Sequence, residues 1–504
     1  MHFGKDADAI MSFITTFLGT VALSIFGFKI VQSILSLVAT LRRLVYIRRH
    51  LPGPKPHWLY GNIRDPGFNE PGFVWEQEAV KKYRRLLAVW VGWKPMVMLN
   101  HPDSIKELLS STTIGKMGDE YKVFKEWTEG LGILEGAIWK RHRRLMTSSF
   151  HFQMLKRYVA TINETADVLV NKLSKAADSG ESVQLSKTMA LFTSDVIFRC
   201  AFSYMSHCQE RESRMLNVID QLTSVLTFRM YTPLMLYDFV FRLSSKHKVW
   251  KDGIRYMHGI QEQIIKERRQ KYAMEKEPQE KVLDFLDTLL LSRDSDGEGL
   301  SDKEIRDEVN VFIFAGADTS SSALTWFFRV MAKHPEEQAR VQEEIDRIFA
   351  GRDDDNVTFD DLNELTYTTQ CLRESMRVYM NVPPFRVLRE PLKVNGFTIP
   401  AGTEVMVNGY QIHHNPDVWG DDHIDFKPDR FERANVEKRD PFAFVPFSAG
   451  QRNCIGQQFA MEVLRLTAAR VFRRFSVSLV KDSLPIYKIV TKPETEILLK
   501  FHRR

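Results

Sequence analysis

Cysteine is scarce in this chain of 504 residues: there are four, Cys200, Cys208, Cys371 and Cys454. None lies close enough to another to suggest a metal knuckle, and their number is far below that of a disulfide scaffold. A reducing compartment without disulfides is therefore expected. An excess of one charge is lacking too. Lys and Arg total 70 against 64 Asp and Glu, a formal charge of +6, which is too diffuse to argue for a nucleic-acid partner and fits an anionic membrane surface or an acidic protein better. The N-terminus also lacks the marks of a cleaved signal peptide. Lys5 is outweighed by Asp6 and Asp8, and no small-x-small site follows a short apolar core.

Long apolar runs are confined to that N-terminus. Ile10 to Gly27 is almost wholly apolar, Lys29 interrupts, and Ile30 to Ala39 resumes. At about 1.5 Å per residue the first run nearly spans a hydrocarbon core of about 30 Å, and with Lys29 snorkelling a single tilted helix serves as an uncleaved anchor. Arg42, Arg43, Arg48 and Arg49 follow, and the positive-inside tendency places that flank and the body in the cytosol. Leu51-Pro52-Gly53-Pro54 then breaks any helix. The chain divides into residues 1–50, anchor and basic, proline-containing hinge, and a body of 51–504. Deletion of residues 1–47 is expected to leave that body intact.

The body reads as mainly α with minor β sheets. Short β-like runs, Leu87 to Val91 and Met96 to Leu99, precede a helical mass. Asn395-Gly396 has the chemistry of a hairpin turn. Phe228 to Phe241, with Met230, Pro233, Met235 and Tyr237, is soft and aromatic, as adaptable pocket linings are. Asp294-Ser-Asp296-Gly-Glu298-Gly299 imitates the start of a calcium loop, but that loop needs Glu at its twelfth position, where Ile305 stands, so a calcium site is rejected. Asn163 and Asn356 head glycosylation-type sequons that a cytosolic body would leave unmodified.

Two stretches carry chemistry. In Phe447-Ser-Ala-Gly450-Gln-Arg452-Asn-Cys454-Ile-Gly456 one cysteine is framed by glycines that permit close backbone approach, and a helical pattern from Gln457 to Phe475 follows. Its sulfur would lie near a helix N-terminus, where unpaired N–H groups favour a thiolate. In Ala315-Gly316-Ala317-Asp318-Thr319 the residues Gly, Asp and Thr sit inside an otherwise apolar helix reaching about Met331. They are costly there and mark a functional site, with Thr319 and Gly316 expected to open the helix locally. A third pattern, Trp139-Lys-Arg-His-Arg143, puts a Trp N–H and a guanidinium on one helical face, able to hold a carboxylate. Lys140, Arg141 and Arg144 read as a solvated basic face or part of a docking surface.

The cysteine loop resembles the Phe-x-x-Gly-x-Arg-x-Cys-x-Gly signature of the cytochrome P450 superfamily, and the other motifs occur in that superfamily's order. The resemblance implies the cytochrome P450 fold with an N-terminal transmembrane anchor, and haem b with Cys454 as the axial metal ligand, held non-covalently because Ala315 offers no nucleophile. Trp139, Arg143 and Arg452 would contact the haem propionates, with Phe447 and Gly316 also at the cofactor. For a further propionate ligand Arg386 and Arg389 both remain open, with the count back from Asn395-Gly396 favouring Arg386. Thr319 and Asp318 would be catalytic, managing protons, and Glu374, Arg377 and Arg430 would form a buried structural network. The implied activity is monooxygenation of a small lipophilic substrate with O2. Electrons would come from NADPH through NADPH-cytochrome reductase, with cytochrome b5 as a further partner, at the endoplasmic reticulum membrane.

Leu134 to Arg144 and Pro446 to Gln457 are closest in flavour to the microsomal family 4, which points to fatty acids or related lipids attacked at or near the chain terminus. The rivals are a reductase-independent isomerase or dehydratase of lipid peroxides, a sterol or xenobiotic monooxygenase, and a non-catalytic haem-binding or ligand-sequestering protein. Many family 4 enzymes have Glu, ester-linked to haem, where this chain has Ala315, and often His where it has Ala317. A roomier pocket and less strictly terminal attack are expected from those two alanines.

Overall fold

The computed structural model describes residues 3–68, 70–111, 118–211, 214–274 and 283–504. Its first element is one continuous helix, α1 (Phe3–His50). Its most apolar stretch of 18 residues has a mean hydropathy of 1.9, and none of that stretch is buried. Phe17, Leu23, Phe26 and Phe28 are all exposed on it, which fits a helix whose side chains are solvated by lipid.

The end of α1 belongs to the folded body. Ile47 has no exposed surface, and Leu51 joins it in a cluster with Leu86, Ala88 and Leu99. The Pro52 carbonyl accepts the Ala88 N–H at 2.7 Å, and a side chain at Gly53 would meet the Ala88 carbonyl oxygen at 2.2 Å. The segment expected as a stiff hinge is thus docked along the sheet. Burial of one such side chain contributes about 1.5–3 kcal/mol. A protein lacking residues 1–40 is therefore expected to melt like the full chain, whereas one lacking 1–47 should still take up haem but melt at a lower temperature. Equal melting temperatures would separate α1 from the fold.

The sheet lies next to the short helix α2 (Val74–Lys82). Strands β1 (Leu86–Val91) and β2 (Lys94–Leu99) stand where the two short β-like runs are expected and form an antiparallel hairpin. Strand β2 pairs in parallel with β4 (Glu404–Val407), and β4 pairs antiparallel with β3 (Phe385–Val387), giving the order β1-β2-β4-β3. Asn395 and Gly396 both adopt positive φ, 49° and 81°. They turn the hairpin of Leu392–Val394 and Phe397–Ile399 as Asn-Gly chemistry dictates.

Helices make up most of the rest, among them α3 (Gly136–Thr147), α4 (Leu185–Phe202), α5 (Arg214–Tyr231), α6 (Asp302–Lys333), α7 (Thr366–Tyr379) and α8 (Gln457–Arg474), and a three-stranded sheet joins Val183–Gln184, Leu498–Arg503 and Phe475–Lys481. The central one, α6, starts at a capping box in which Ser301 and Glu304 exchange hydrogen bonds. It is covered on several sides by α4, α7 and α8, and Trp326, Phe327 and Phe328 are fully buried on it. Behind it, Glu374 and Arg377 of α7 are both without exposed surface. Their contact is two-pronged, at 2.7 and 2.8 Å. Arg430 approaches Glu374 at 3.5 Å and pairs with Asp422 at 2.7 Å. Arg377 also donates to the carbonyls of His413, His423 and Asp425, so this network staples the segment leading to the cysteine loop.

Candidate active site

The cysteine loop is fixed by backbone geometry. The Cys454 N–H donates to the Phe447 carbonyl at 2.9 Å, closing a tight turn in which Ser448 and Gly450 have positive φ, 60° and 72°. The reason for Gly450 differs from the one expected. A Cβ there would sit 2.0 Å from the Leu109 carbonyl oxygen, so this glycine lets the loop cross another backbone and does not itself line the cavity. Gly456 does line it, but with negative φ and no steric demand for glycine. Cys454 opens onto the cavity just before α8. Burial pushes its thiol up, while a hydrogen bond from the Gly456 N–H and the charge of Arg143 pull it down.

That cavity, of about 350 Å³, brings together Trp139, Arg143, Gly316, Thr319, Arg386, Phe447, Arg452 and Cys454, from elements up to more than 300 positions apart in sequence. Three of these residues are arginines, and among the described residues none has a carboxylate partner. Arg143 donates to the backbone and side-chain oxygens of Asn453, both at 2.9 Å. Arg386 donates to the Phe385 carbonyl at 2.8 Å. Arg452 donates to the Leu134 carbonyl at 2.6 Å and lies 4.1 Å over the Trp139 ring. Burial lowers all three pKa values. That of Arg452 falls to about 10, with neighbouring Arg386 as the second cause. Arg389, the alternative to Arg386, is exposed and pairs with Glu135 at 3.4 Å. Buried cations without counter-charge are costly unless a ligand supplies it. One sulfur on a cavity wall beside buried Arg386 and half-buried Arg143 and Arg452 suits a haem, whose propionates carry two negative charges.

On the opposite side, α6 passes without interruption through Ala315 to Thr319, so the expected local opening is absent. The Thr319 hydroxyl donates to the Ala315 carbonyl at 2.7 Å and is a polar group on this wall. Gly316 has a packing reason as well, because a Cβ would meet Ile197 of α4 at 2.6 Å. Asp318 points elsewhere. It pairs with Lys492 at 2.7 Å, Lys492 lies 3.9 Å from Asp220 on α5, and the second carboxylate oxygen of Asp318 is buried without a partner. Ala317 is buried against α4, its carbonyl accepting the Thr193 hydroxyl at 2.8 Å. It lies outside the cavity, so the expectation that it enlarges the pocket is overturned, and only Ala315 leaves room there.

Other assignments also shift. Arg141 belongs to a structural link, pairing with Asp294 at 2.6 Å and donating to the Gly299 carbonyl. Asp294 thereby orders the loop that imitates a calcium site. Lys140 and Arg144 stay exposed. Asn163 is buried with its amide bound to the Val159 and Val357 carbonyls. In Phe228 to Phe241, Leu234, Tyr237 and Phe239 are surface residues, and Met230 lines a neighbouring cavity. One buried pair escaped the sequence reading: His142 contacts Glu308 at 2.7 Å and Glu304 at 3.2 Å, tying α3 to the start of α6. Its carboxylates raise the His142 pKa against burial, and burial raises that of Glu308. The signal was there, since His142 lies three residues after Trp139 on the same helical face.

Comparison with known proteins agrees with this geometry. The family model described as Cytochrome P450 matches residues 51–501. The chain is 37% identical over 457 residues to the ultra-long-chain fatty acid omega-hydroxylase of Homo sapiens, covering 88% of this chain and 85% of that protein. It is 34% identical over 448 residues to leukotriene-B4 omega-hydroxylase 3 of Mus musculus, covering 85% of each. To cytochrome P450 4F3 of Homo sapiens it is 34% identical over 438 residues, 84% of each.

Proposed function

The chain belongs to the cytochrome P450 family, and from that membership we propose that this monooxygenase hydroxylates fatty acids or related lipids at or near the chain end. The observation that carries the proposal is the single cavity that joins a loop-fixed cysteine, three carboxylate-free arginines and an apolar wall of α6. Bound there, haem b supplies the activation of O2 for insertion into a C–H bond. The omega-hydroxylase relatives supply the substrate class.

The chain's own residues do the rest. The bond from Cys454 N–H to Phe447 holds the loop so that the sulfur faces the cavity, and the Gly456 N–H and Arg143 stabilise negative charge on it. Arg143, Arg386, Arg452 and Trp139 hold the propionates. Val311, Phe312, Ala315, Ala323 and Val382 line the space for an acyl chain and keep water out. Thr319 presents a hydroxyl that can hold an ordered water and pass a proton. Asp318, turned to Lys492, acts behind it as the link to solvent through Asp220. Electrons come from NADPH through a flavoprotein reductase, with cytochrome b5 as a second donor, and exposed Lys140 and Arg144 offer part of a basic docking face. The anchor helix holds the body at the cytosolic face of the endoplasmic reticulum, with Leu234, Tyr237 and Phe239 as further apolar surface.

The test is NADPH and oxygen consumption with reductase and a medium-chain fatty acid. Lipid alcohol formed in proportion supports the proposal, and conversion of lipid peroxides alone without reductase overturns it. In the same assay Thr319→Ala is expected to bind haem and substrate normally but to divert most NADPH to peroxide or water, because proton delivery is no longer directed. Tight coupling would remove Thr319 from that role.

Ala315 offers only a methyl group to the cavity, so no carboxylate is present at this position to form an ester with haem. In denaturing acid chromatography after turnover, haem is expected to separate from the polypeptide, and co-migration would refute non-covalent attachment. Hydroxylation of a medium-chain acid is expected at more than the terminal carbon, with Ala315→Glu narrowing it, and purely terminal alcohol from the unaltered protein would refute the effect of Ala315.

A further inference from the structure

A second cavity, of about 60 Å³, lies beside the first, and Pro383 lines both. Most of its wall is soft and apolar, with Met96 and Met98 of β2, Met230 of α5 and Met406 of β4. Three polar side chains face it with hydrogen-bonding capacity left over. Glu76 of α2 is 5% exposed, its carboxyl takes a hydrogen bond from its own backbone N–H, and no side chain among the described residues pairs with it. Asn381 is 3% exposed, and apart from the neighbouring Tyr487 hydroxyl neither its side-chain oxygen nor its nitrogen has a partner among the described residues. The Tyr487 hydroxyl is buried and faces the Asn381 amide, and it has no other hydrogen-bond partner among the described residues. Native proteins pair nearly all buried polar groups, and each of these left unpaired costs about 1–3 kcal/mol. Several such groups converging on one apolar pocket are what a ligand's polar end satisfies.

The charge balance decides which kind of polar end. Lys94 lines the cavity, but Glu404 holds it at 2.6 Å. No cation without a carboxylate partner lines this cavity among the described residues. Burial pushes Glu76 up to about 8, so at neutral pH its carboxyl is mostly protonated, both donor and acceptor. A carboxylate entering here would lose its hydration and meet no free cation, while standing next to an acid that its own charge would hold protonated. An amide or alcohol finds donors and acceptors matching its own: the Glu76 carboxyl, the Asn381 amide and the Tyr487 hydroxyl.

We propose that this cavity is the head-group subsite for the lipid whose chain reaches Cys454, and that it takes an uncharged hydrogen-bonding head, an amide or alcohol, in preference to a carboxylate. The proposal rests on the assignment of the Cys454 cavity to an acyl chain. The full-length haem-loaded protein in phospholipid nanodiscs is titrated at pH 7 with dodecanamide and with dodecanoate, followed by haem spin-state shift and by calorimetry. Dodecanamide is expected to bind at least about tenfold more tightly, since tenfold corresponds to one or two hydrogen bonds. Glu76→Gln, uncharged and of the same shape, should keep that preference, and Glu76→Leu should abolish it. Asn381→Leu should weaken dodecanamide alone, which keeps the test open if Glu76→Leu misfolds.

Dodecanoate binding as tightly as dodecanamide overturns the proposal. So do leucine variants at both positions that leave both affinities unchanged, since the cavity then holds only water. In either of those cases hydroxylation of dodecanoate in the presence of reductase leaves the acyl-chain assignment of the Cys454 cavity standing. If neither compound binds or is hydroxylated, that assignment falls together with this proposal.

Discussion

Cys454→Ser is expected to abolish the thiolate-type absorption of the reduced carbon monoxide complex and to take monooxygenase activity below detection, while leaving the fold in place. The substitution exchanges one atom in a residue whose backbone is held by the Phe447 carbonyl, so the loop keeps its shape. What changes is proton affinity. Burial pushes the Cys454 thiol up, but the Gly456 N–H and Arg143 oppose that, and coordination of a metal deprotonates a thiol outright. A serine hydroxyl starts far less acidic and stays protonated. It therefore cannot supply the electron density that thiolate ligation lends to O–O cleavage. Far-ultraviolet circular dichroism and the melting temperature measured without haem separate the two effects. An unchanged carbon monoxide spectrum would remove Cys454 from the metal site, whereas a large loss of melting temperature would make the residue structural.

Legibility followed how local the determinants are. Strands β1 and β2 and the Asn395-Gly396 turn were readable because a short β-branched and aromatic apolar run and an Asn-Gly pair are properties of a few adjacent residues. Trp139 and Arg143 reach one cavity because a spacing of four puts them on one helical face. What escaped depends on partners remote in sequence. Gly450 is glycine because of the Leu109 carbonyl, and Gly316 because of Ile197, contacts that the loop and helix themselves do not encode. Asp318 is adjacent to Thr319 in sequence but faces Lys492, since consecutive helical residues point about 100° apart. Ala317 turns to α4 for the same reason. The docking of Leu51 to Pro54 on β1 was hidden because proline and glycine break a helix equally well in a free hinge and in a packed edge.

The largest loss of stability is expected at the buried pair behind the cavity, and Arg377→Met should cost more than Glu374→Ala. Removing Glu374 leaves the Arg377 guanidinium uncompensated at a site without exposed surface, a loss of about 3–5 kcal/mol. Arg377 would still donate to the His413, His423 and Asp425 carbonyls. Removing Arg377 instead strands the Glu374 charge, which then meets, among the described residues, the Lys427 N–H at 2.9 Å and the more distant Arg430. It also deprives those three carbonyls of this donor, at about 1–3 kcal/mol for each that finds no other. Against a total stability of about 5–15 kcal/mol, Glu374→Ala should yield some haem-loaded protein with a much lower urea midpoint, and Arg377→Met little or none. Glu374→Gln keeps the acceptor oxygen for the Lys427 N–H and should fall closest to the unaltered protein. The check is the urea midpoint by haem absorbance, together with the yield of haem-loaded protein. Equal midpoints for Glu374→Ala and Arg377→Met would show that the ion pair alone matters and that the three carbonyls contribute nothing. A midpoint for Arg377→Met near that of the unaltered protein would show that the network does not hold the segment leading to Cys454.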